Sequence, residues 1–233
     1  IQPFLGVVAD RLFLAPDVGQ DLLSELIFGT RVSLTVGIVA ALVALVIGTT
    51  VGILAGYYPR RLGNVLMRAV DVVLILPFLP LLIVLAAYLG RSLVNTIVVI
   101  GVLIWAAPAR VIRSQVLTLR LREYVLASQT MGAPDRWAIV RHVLPRTALL
   151  ATGTFVRAGS TAILLEAALS FLGLGDPIQK SWGSILFWAQ TRGAFLTPAW
   201  KWWVVPPGLM IMAASLGFAM IAFAMEERIN PRL

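Results

Sequence analysis

Four windows in this chain, residues 32–59, 72–90, 92–109 and 202–225, contain no Asp, Glu, Lys, Arg or His. Each is about the length a helix needs to cross roughly 30 Å of hydrocarbon. Inside a bilayer no water is available for the backbone, so a window like these must satisfy its own N–H and C=O groups as a helix. A further stretch, 147–175, is interrupted only by Arg157 and Glu166, which brings the expected number of spans to about five. One buried helix of a soluble protein explains one such window, not several. The composition, 59% hydrophobic and 13% charged, agrees. The expected fold is all-α and polytopic, with a membrane domain over residues 32–225.

The formal charge of +8 is unevenly placed. Arg60, Arg61 and Arg68 follow the first span, and Arg110, Arg113, Arg120, Arg122, Arg136, Arg141 and Arg146 follow the third. Arg228 and Arg232 sit in the tail, 226–233, while the intervening loops carry far fewer. Basic loops alternating with less basic ones place the basic ones in the cytoplasm. No basic stripe with interleaved stacking aromatics occurs, so nucleic acid is not an expected partner. The absence of Cys excludes disulfides and thiolate metal sites. Residues 1–31 then read as an external segment. They carry charges and no apolar core, unlike a signal peptide, and a further span upstream is expected.

Along the chain, Asp17, Gly19 and Asp21 form a turn-prone cluster, with Asp21 or a neighbour capping a short amphipathic helix at Leu22, Leu23, Leu26 and Ile27. Gly48, Gly52 and Gly56 line one face of the first span, which suits close helix packing. Pro77 and Pro80 fall mid-span, as a kinked pathway wall or a static packing kink. The third span is expected to end near Pro108 and Arg110. The external segment 176–201 holds Trp182, Trp188 and Trp200, with Trp202 and Trp203 beyond, a cluster that suits an interfacial belt more than a gate or docking surface.

The loop 113–146 breaks the apolar pattern. Its residues 122–146 read as helix, turn, helix: Gly132 supplies a left-handed stop, and Pro134 with Asp135 suits the first turn of the next helix. That second helix has an apolar stripe at Trp137, Val140, Val143 and Leu144, and Pro145 marks the return to the membrane. The product is a short helix held across the cytoplasmic face.

Ala127, Ser128, Gly132, His142, Leu144 and Pro145 resemble the cytoplasmic coupling motif of binding-protein-dependent ABC importer permeases. That motif is usually written Glu-Ala-Ala, a short spacer, Gly, and further on Ile-x-Leu-Pro. Leu126 stands here for the Glu and Ser128 for the second Ala, so shape and rigid attachment should matter more than an acid at the start of the motif. Asp17-x-Gly-x-Asp21, Gly29-x-Arg31-Val-Ser-Leu34, Glu166-Ala-Ala-Leu-Ser-Phe-Leu-Gly-Leu-Gly175, Ser181-Trp-Gly183, Pro207-Gly-Leu209 and Asn230-Pro-Arg-Leu233 are similar to the C-type permeases of dipeptide and oligopeptide importers. Those usually have one more span, upstream of the Asp17 segment.

The resemblance implies a type I importer core in the inner or plasma membrane of a prokaryote. Its partners would be a second, homologous permease, two cytoplasmic ATPase subunits and an external substrate-binding protein. The coupling helix, around 123–135, would seat in the ATPase through Glu123, Ala127, Ser128, Gly132, Ala133, Asp135, His142, Leu144 and Pro145. No Gly-x4-Gly-Lys-Ser/Thr loop is present, so the chain is expected to be a transport subunit and no enzyme, with no cofactor of its own and ATP-Mg held by the partner ATPases. Peptides are the expected cargo; nickel chelates and oligosaccharides travel through look-alike permeases.

Asp71, Arg157 and Glu166 are costly in lipid and are therefore candidates for a translocation cavity or for interhelical structural pairs. Arg157 and Glu166 lie about half a turn apart in angle and roughly 13.5 Å apart along a helix, so each needs another partner, with Asp71 a candidate for Arg157. His142 has no Cys, Asp or Glu at ligand spacing, so no metal site is expected. An ion-driven secondary transporter would show inverted repeats with matching broken helices. An intramembrane enzyme would need a nucleophile–base or metal constellation, which one His and no Cys do not supply.

Overall fold

A computed structural model describes residues 22–229, which are helical throughout apart from short turns, with no strand among them. The Asp17–Gly19–Asp21 cluster, most of the segment 1–31 and the end of the tail lie outside the described residues.

The first helix, α1 (Leu22–Tyr57), is continuous over 36 residues, about 54 Å at 1.5 Å per residue. The separate amphipathic helix expected before the first span is therefore its outer end. Nothing breaks the ladder there, and Leu22 and Leu26 are buried in a cluster with Trp182, Ile185 and Trp203. Gly29 also stays helical, because it is a contact: a Cβ there would lie 3.3 Å from Trp182.

The chain then turns through α2 (Arg61–Ile75) and α3 (Phe78–Leu89), set at 90° to each other. The mid-span kink expected from Pro77 and Pro80 is thus a full corner. Leu76 is extended, as a residue before proline prefers, and Pro77 caps α3. Pro80 falls in the first turn of α3, where no N–H is needed. The same logic corrects the third span. Its helix does not end near Pro108: α4 (Leu93–Ile104) bends by 41° at Trp105 into α5 (Ala106–Leu119), whose first turn holds Pro108. This helix runs on to Leu119, and the chain turns at Arg120. Among the described residues three helices are long and apolar enough to span a membrane, and five spans result when each bent pair counts as one.

The glycine stripe packs as expected. A Cβ at Gly48 would lie 2.8 Å from the Trp105 carbonyl, at Gly52 2.8 Å from that of Ala109, and at Gly56 2.6 Å from the Val116 Cβ. α1 and α5 therefore touch backbone to backbone along the C-terminal half of α1.

After two short helices, α6 (Glu123–Thr130) and α7 (Asp135–Ala138), a five-residue π turn (Ile139–Val143) leads into α8 (Leu144–Phe171). Pro145 was expected to mark the return to the membrane, and one 37-residue helical run passes through it. Pro145 has no N–H for the carbonyl four residues back, and the wider i→i+5 register before it accommodates that loss.

Beyond α8, a loop leads to α9 (Trp182–Thr191), then α10 (Trp200–Trp203) and α11 (Val205–Ile229). Here the aromatic belt is only half realised. Trp188, Trp200 and Trp202 are exposed, whereas Trp182 and Trp203 are core residues. Trp182 donates from Nε1 to the Leu26 carbonyl at 3.2 Å, which fastens α9 to the outer end of α1.

Candidate functional site

The site at residues 120–146 is built from the turn outward. Arg122 is extended and α6 follows it for eight residues. Gly132, at φ 84°, closes the helix with two crossed bonds, Ala133 N–H to the Ser128 carbonyl and Gly132 N–H to that of Gln129, each 3.0 Å. This is a Schellman stop, and the left-handed residue in it favours glycine. Pro134 then caps α7, whose first residue is Asp135, so the residues read from sequence as turn and restart occupy those places.

Tyr57, the last residue of α1, holds the two short helices together. Its hydroxyl accepts from Gln129 Nε2 at 2.8 Å and donates to Asp135 Oδ1 at 3.1 Å. Arg120 Nη1 donates to the Tyr57 carbonyl at 3.4 Å. Asp135, expected on the docking face, therefore spends its carboxylate on its own scaffold. Behind the clamp, Tyr57, Ile53, Ile112, Val116, Ala138, Val143 and Ala151 form one buried cluster. The apolar stripe predicted for the second helix is thereby corrected: Val143 is buried with Ala138, but Trp137, Val140 and Leu144 are exposed. The π turn shifts the angular register between Ala138 and Leu144, so a straight-helix stripe misassigns the inner face.

His142 sits edge-on to both Trp137 and Tyr124, with ring centroids 5.1 and 5.5 Å away, and the Arg146 guanidinium lies 4.7 Å over the Tyr124 ring. These contacts tie α6 to the start of α8. Ser128 is buried and donates to the Val125 carbonyl. Glu123, Ala127, Gly132 and Pro145 face outward, and Ala133 is half-buried. The outward surface also presents Leu121, Leu126, Met131, Trp137 and Val140, apolar side chains at 43–81% exposure. Tyr57, Tyr124, Gln129 and Arg146 escaped sequence reading. Only the position of Tyr57, a hydroxyl ending a charge-free window, could have pointed to it.

The intramembrane charges do not pair as expected. Asp71 bonds Arg110 at 2.5 Å, joining α2 to α5, with both side chains about half exposed (51% and 57%). It is therefore not the partner of Arg157, which lies exposed on α8. Glu166 is buried at 2% exposure and accepts from Ser33 Oγ (3.0 Å) and Ser170 Oγ (2.6 Å). Ser33 Oγ in turn accepts from the Trp182 N–H at 3.2 Å, so one carboxylate joins α1, α8 and the head of α9. On the outer side Lys180 pairs with Glu25. Burial pushes the Asp176 carboxyl up, but the N–H groups of Ile178, Gln179 and Leu93 outweigh it and hold the group below its ordinary value.

A family model described as "Binding-protein-dependent transport system inner membrane component" matches residues 48–233. The chain is 35% identical over 229 residues to the dipeptide transport system permease protein DppC of Alkalihalophilus pseudofirmus, an alignment covering 98% of this chain and 74% of that one. It is 37% identical over 225 residues to the di/tripeptide transport system permease protein DppC of Pseudomonas aeruginosa (96% and 73% covered). Against the glutathione transport system permease protein GsiD of Pectobacterium atrosepticum it is 32% identical over 217 residues (93% and 71%). The matched family region takes in the glycine stripe, the clamped short helices and the buried Glu166, and the chain belongs to the family of inner membrane components of binding-protein-dependent transport systems.

Proposed function

We propose that this chain forms one half of the transmembrane pathway of an ATP-driven importer of short peptides, and that α6 with its turn is the element that receives force from an ATPase. The observation that carries the coupling role is the Tyr57 clamp. It fixes an exposed eight-residue helix to the end of a membrane-spanning one through hydroxyl bonds to Gln129 and Asp135. A loop that only connected spans would have no use for such bracing.

The mechanism follows from the attachments. Two cytoplasmic ATPase subunits bind ATP-Mg and close; one grips the outward apolar side chains Leu126 and Met131 beside Glu123, Ala127 and Gly132. Displacement of α6 then passes to α1 through Tyr57, and to α8 through the His142–Tyr124–Arg146 contacts and the continuous helix behind Leu144 and Pro145. Moving α1 and α8 against a second, homologous permease opens the pathway toward an external binding protein that delivers the peptide. Arg157, on the exposed side of α8, is the best placed of the intramembrane charges to meet that pathway. Asp71 and Glu166 brace helices beside it. Peptide cargo is supported by the named substrates of the relatives above.

The test is reconstitution of the complete complex in proteoliposomes with Met131→Glu or Leu126→Glu. Both positions are exposed, so the fold should melt as in wild type, while ATPase association and the hydrolysis stimulated by peptide-loaded binding protein should fall together. Unchanged stimulation in both variants would refute the coupling role. Uptake of a nickel chelate or an oligosaccharide, with no uptake of dipeptide, would refute the cargo.

A further inference from the structure

Beside the α1–α2 turn lies a hollow of about 410 Å³ that the coupling role leaves unexplained. Arg60, Arg61 and Arg120 line it together with Tyr57, Tyr58 and Leu62, and no carboxylate does. Among the described residues none of the three arginines makes an ion pair. Arg120 spends one Nη on the Tyr57 carbonyl, yet its Nε is buried without any hydrogen-bond partner. Three guanidinium groups around one cavity, with no carboxylate to neutralise them, suit a multivalent anion such as phosphate.

Position identifies the source of that anion. The hollow sits where the apolar window of α1 ends, on the side that the arginine bias assigns to the cytoplasm. On α2, Leu62 and Val65 continue from its rim at 46% and 65% exposure, an apolar track suited to acyl chains. Basic pockets at the cytoplasmic interface between membrane helices take lipid headgroups. We propose that Arg60, Arg61 and Arg120 bind the phosphate of an anionic phospholipid from the cytoplasmic leaflet. Because Arg120 also holds Tyr57, whose hydroxyl clamps α6, the bound lipid steadies the coupling helix; this second consequence rests on the function proposed above, whereas the binding itself does not.

The experiment uses the whole complex extracted from bilayers of mixed phosphatidylglycerol and phosphatidylcholine, with retained lipid counted by native mass spectrometry. Wild type should keep phosphatidylglycerol selectively. Arg60→Gln with Arg61→Gln removes two charges near the headgroup and should weaken that retention about thirtyfold. The paired Lys replacements, which keep the charge, should retain most of it and so separate lipid binding from misfolding. Equal retention in the Gln pair overturns the site. Displacement of the lipid by inorganic phosphate alone would make it a free-anion site and overturn the lipid assignment. Loss of the ATPase subunits from the Gln pair in pure phosphatidylcholine would assign these arginines to the ATPase instead. If the coupling role itself is wrong, lipid retention still follows the arginines while hydrolysis does not.

Discussion

Replacing Tyr57 with Phe removes one oxygen from the end of α1 and leaves the ring in its buried cluster. Two hydrogen bonds vanish, from Gln129 at 2.8 Å and to Asp135 at 3.1 Å. A neutral bond of this kind contributes about 1 kcal/mol and one to a carboxylate about 1.5–3 kcal/mol. Gln129 and Asp135 are both exposed, so water takes over part of their bonding and the net loss falls to about 1–2 kcal/mol. That loss is local. It acts on the equilibrium by which α6 and α7 detach from α1, and about 1–2 kcal/mol there raises the detached fraction roughly 5- to 30-fold.

Hydrogen exchange in the purified complex reads this directly. Amides over 123–135 should exchange roughly 5- to 30-fold faster in Tyr57→Phe, with the glycine-packed part of α1 unchanged. Asp135→Asn, which keeps an acceptor oxygen, should fall between the variant and wild type. Stimulated ATP hydrolysis should drop while ATPase association persists, since the docking face is intact and only its attachment is loosened. Wild-type exchange across 123–135 would refute the clamp, and uniform acceleration over the whole chain would show that Tyr57 is simply a core residue.

Gly52→Val should lower the stability of the complex by about 1–3 kcal/mol or more, because its Cβ would meet the Ala109 carbonyl at 2.8 Å and Ile112 Cβ at 2.9 Å. Gly153→Ala, whose Cβ meets nothing within 4 Å, should be neutral or stabilise by about 0.5–1 kcal/mol, and a thermal melt of the pair checks both. Glu166→Leu leaves the Ser33 and Ser170 hydroxyls without their acceptor, a loss of about 2–4 kcal/mol; Glu166→Gln should recover most of it, and identical melting of the two variants would contradict the knot. The Asp176 carboxyl is held below its ordinary value of 3.8, so its contribution is complete above that value and disappears as pH falls through the lower folded value. Exchange protection at Leu93, Ile178 and Gln179 should therefore survive at pH 5 and fade only below pH 3.8, and Asp176→Asn should flatten that dependence.

The membrane class, the helix–turn–helix at 122–146 and the glycine seam were legible in the sequence because each rests on a short-range rule: absence of charge, a left-handed glycine, a four-residue spacing. The prolines were legible only in part. Pro77 and Pro80 mark a break in the second span, as expected, but its size, a 90° corner, was not legible; Pro77, Pro80 and Pro108 all sit at or near the start of a new helix, where the missing N–H does no harm. What the sequence leaves open is which pieces are separate helices, since that is decided by the angle at Leu76 and at Trp105.

The functional residues divide along the same line. Gly132 and Asp135 were found because they punctuate local backbone, but the bond between Tyr57 and Asp135 was not, since the two lie 78 positions apart. Asp71 met Arg110 instead of Arg157 because α2 packs beside α5, a pairing no window of sequence contains. Glu166 looked like a pathway charge by its place in an apolar helix, yet three separated segments converge on it through Ser33, Ser170 and Trp182. The physical distinction is burial with matched donors against exposure toward a cavity. A charge in a membrane helix must find either a partner or water, and only the packed structure says which. For Glu166 it is a set of matched donors, Ser33 on α1 and Ser170 on α8, so its carboxylate is held within the packing and is not free to meet a solute in transit.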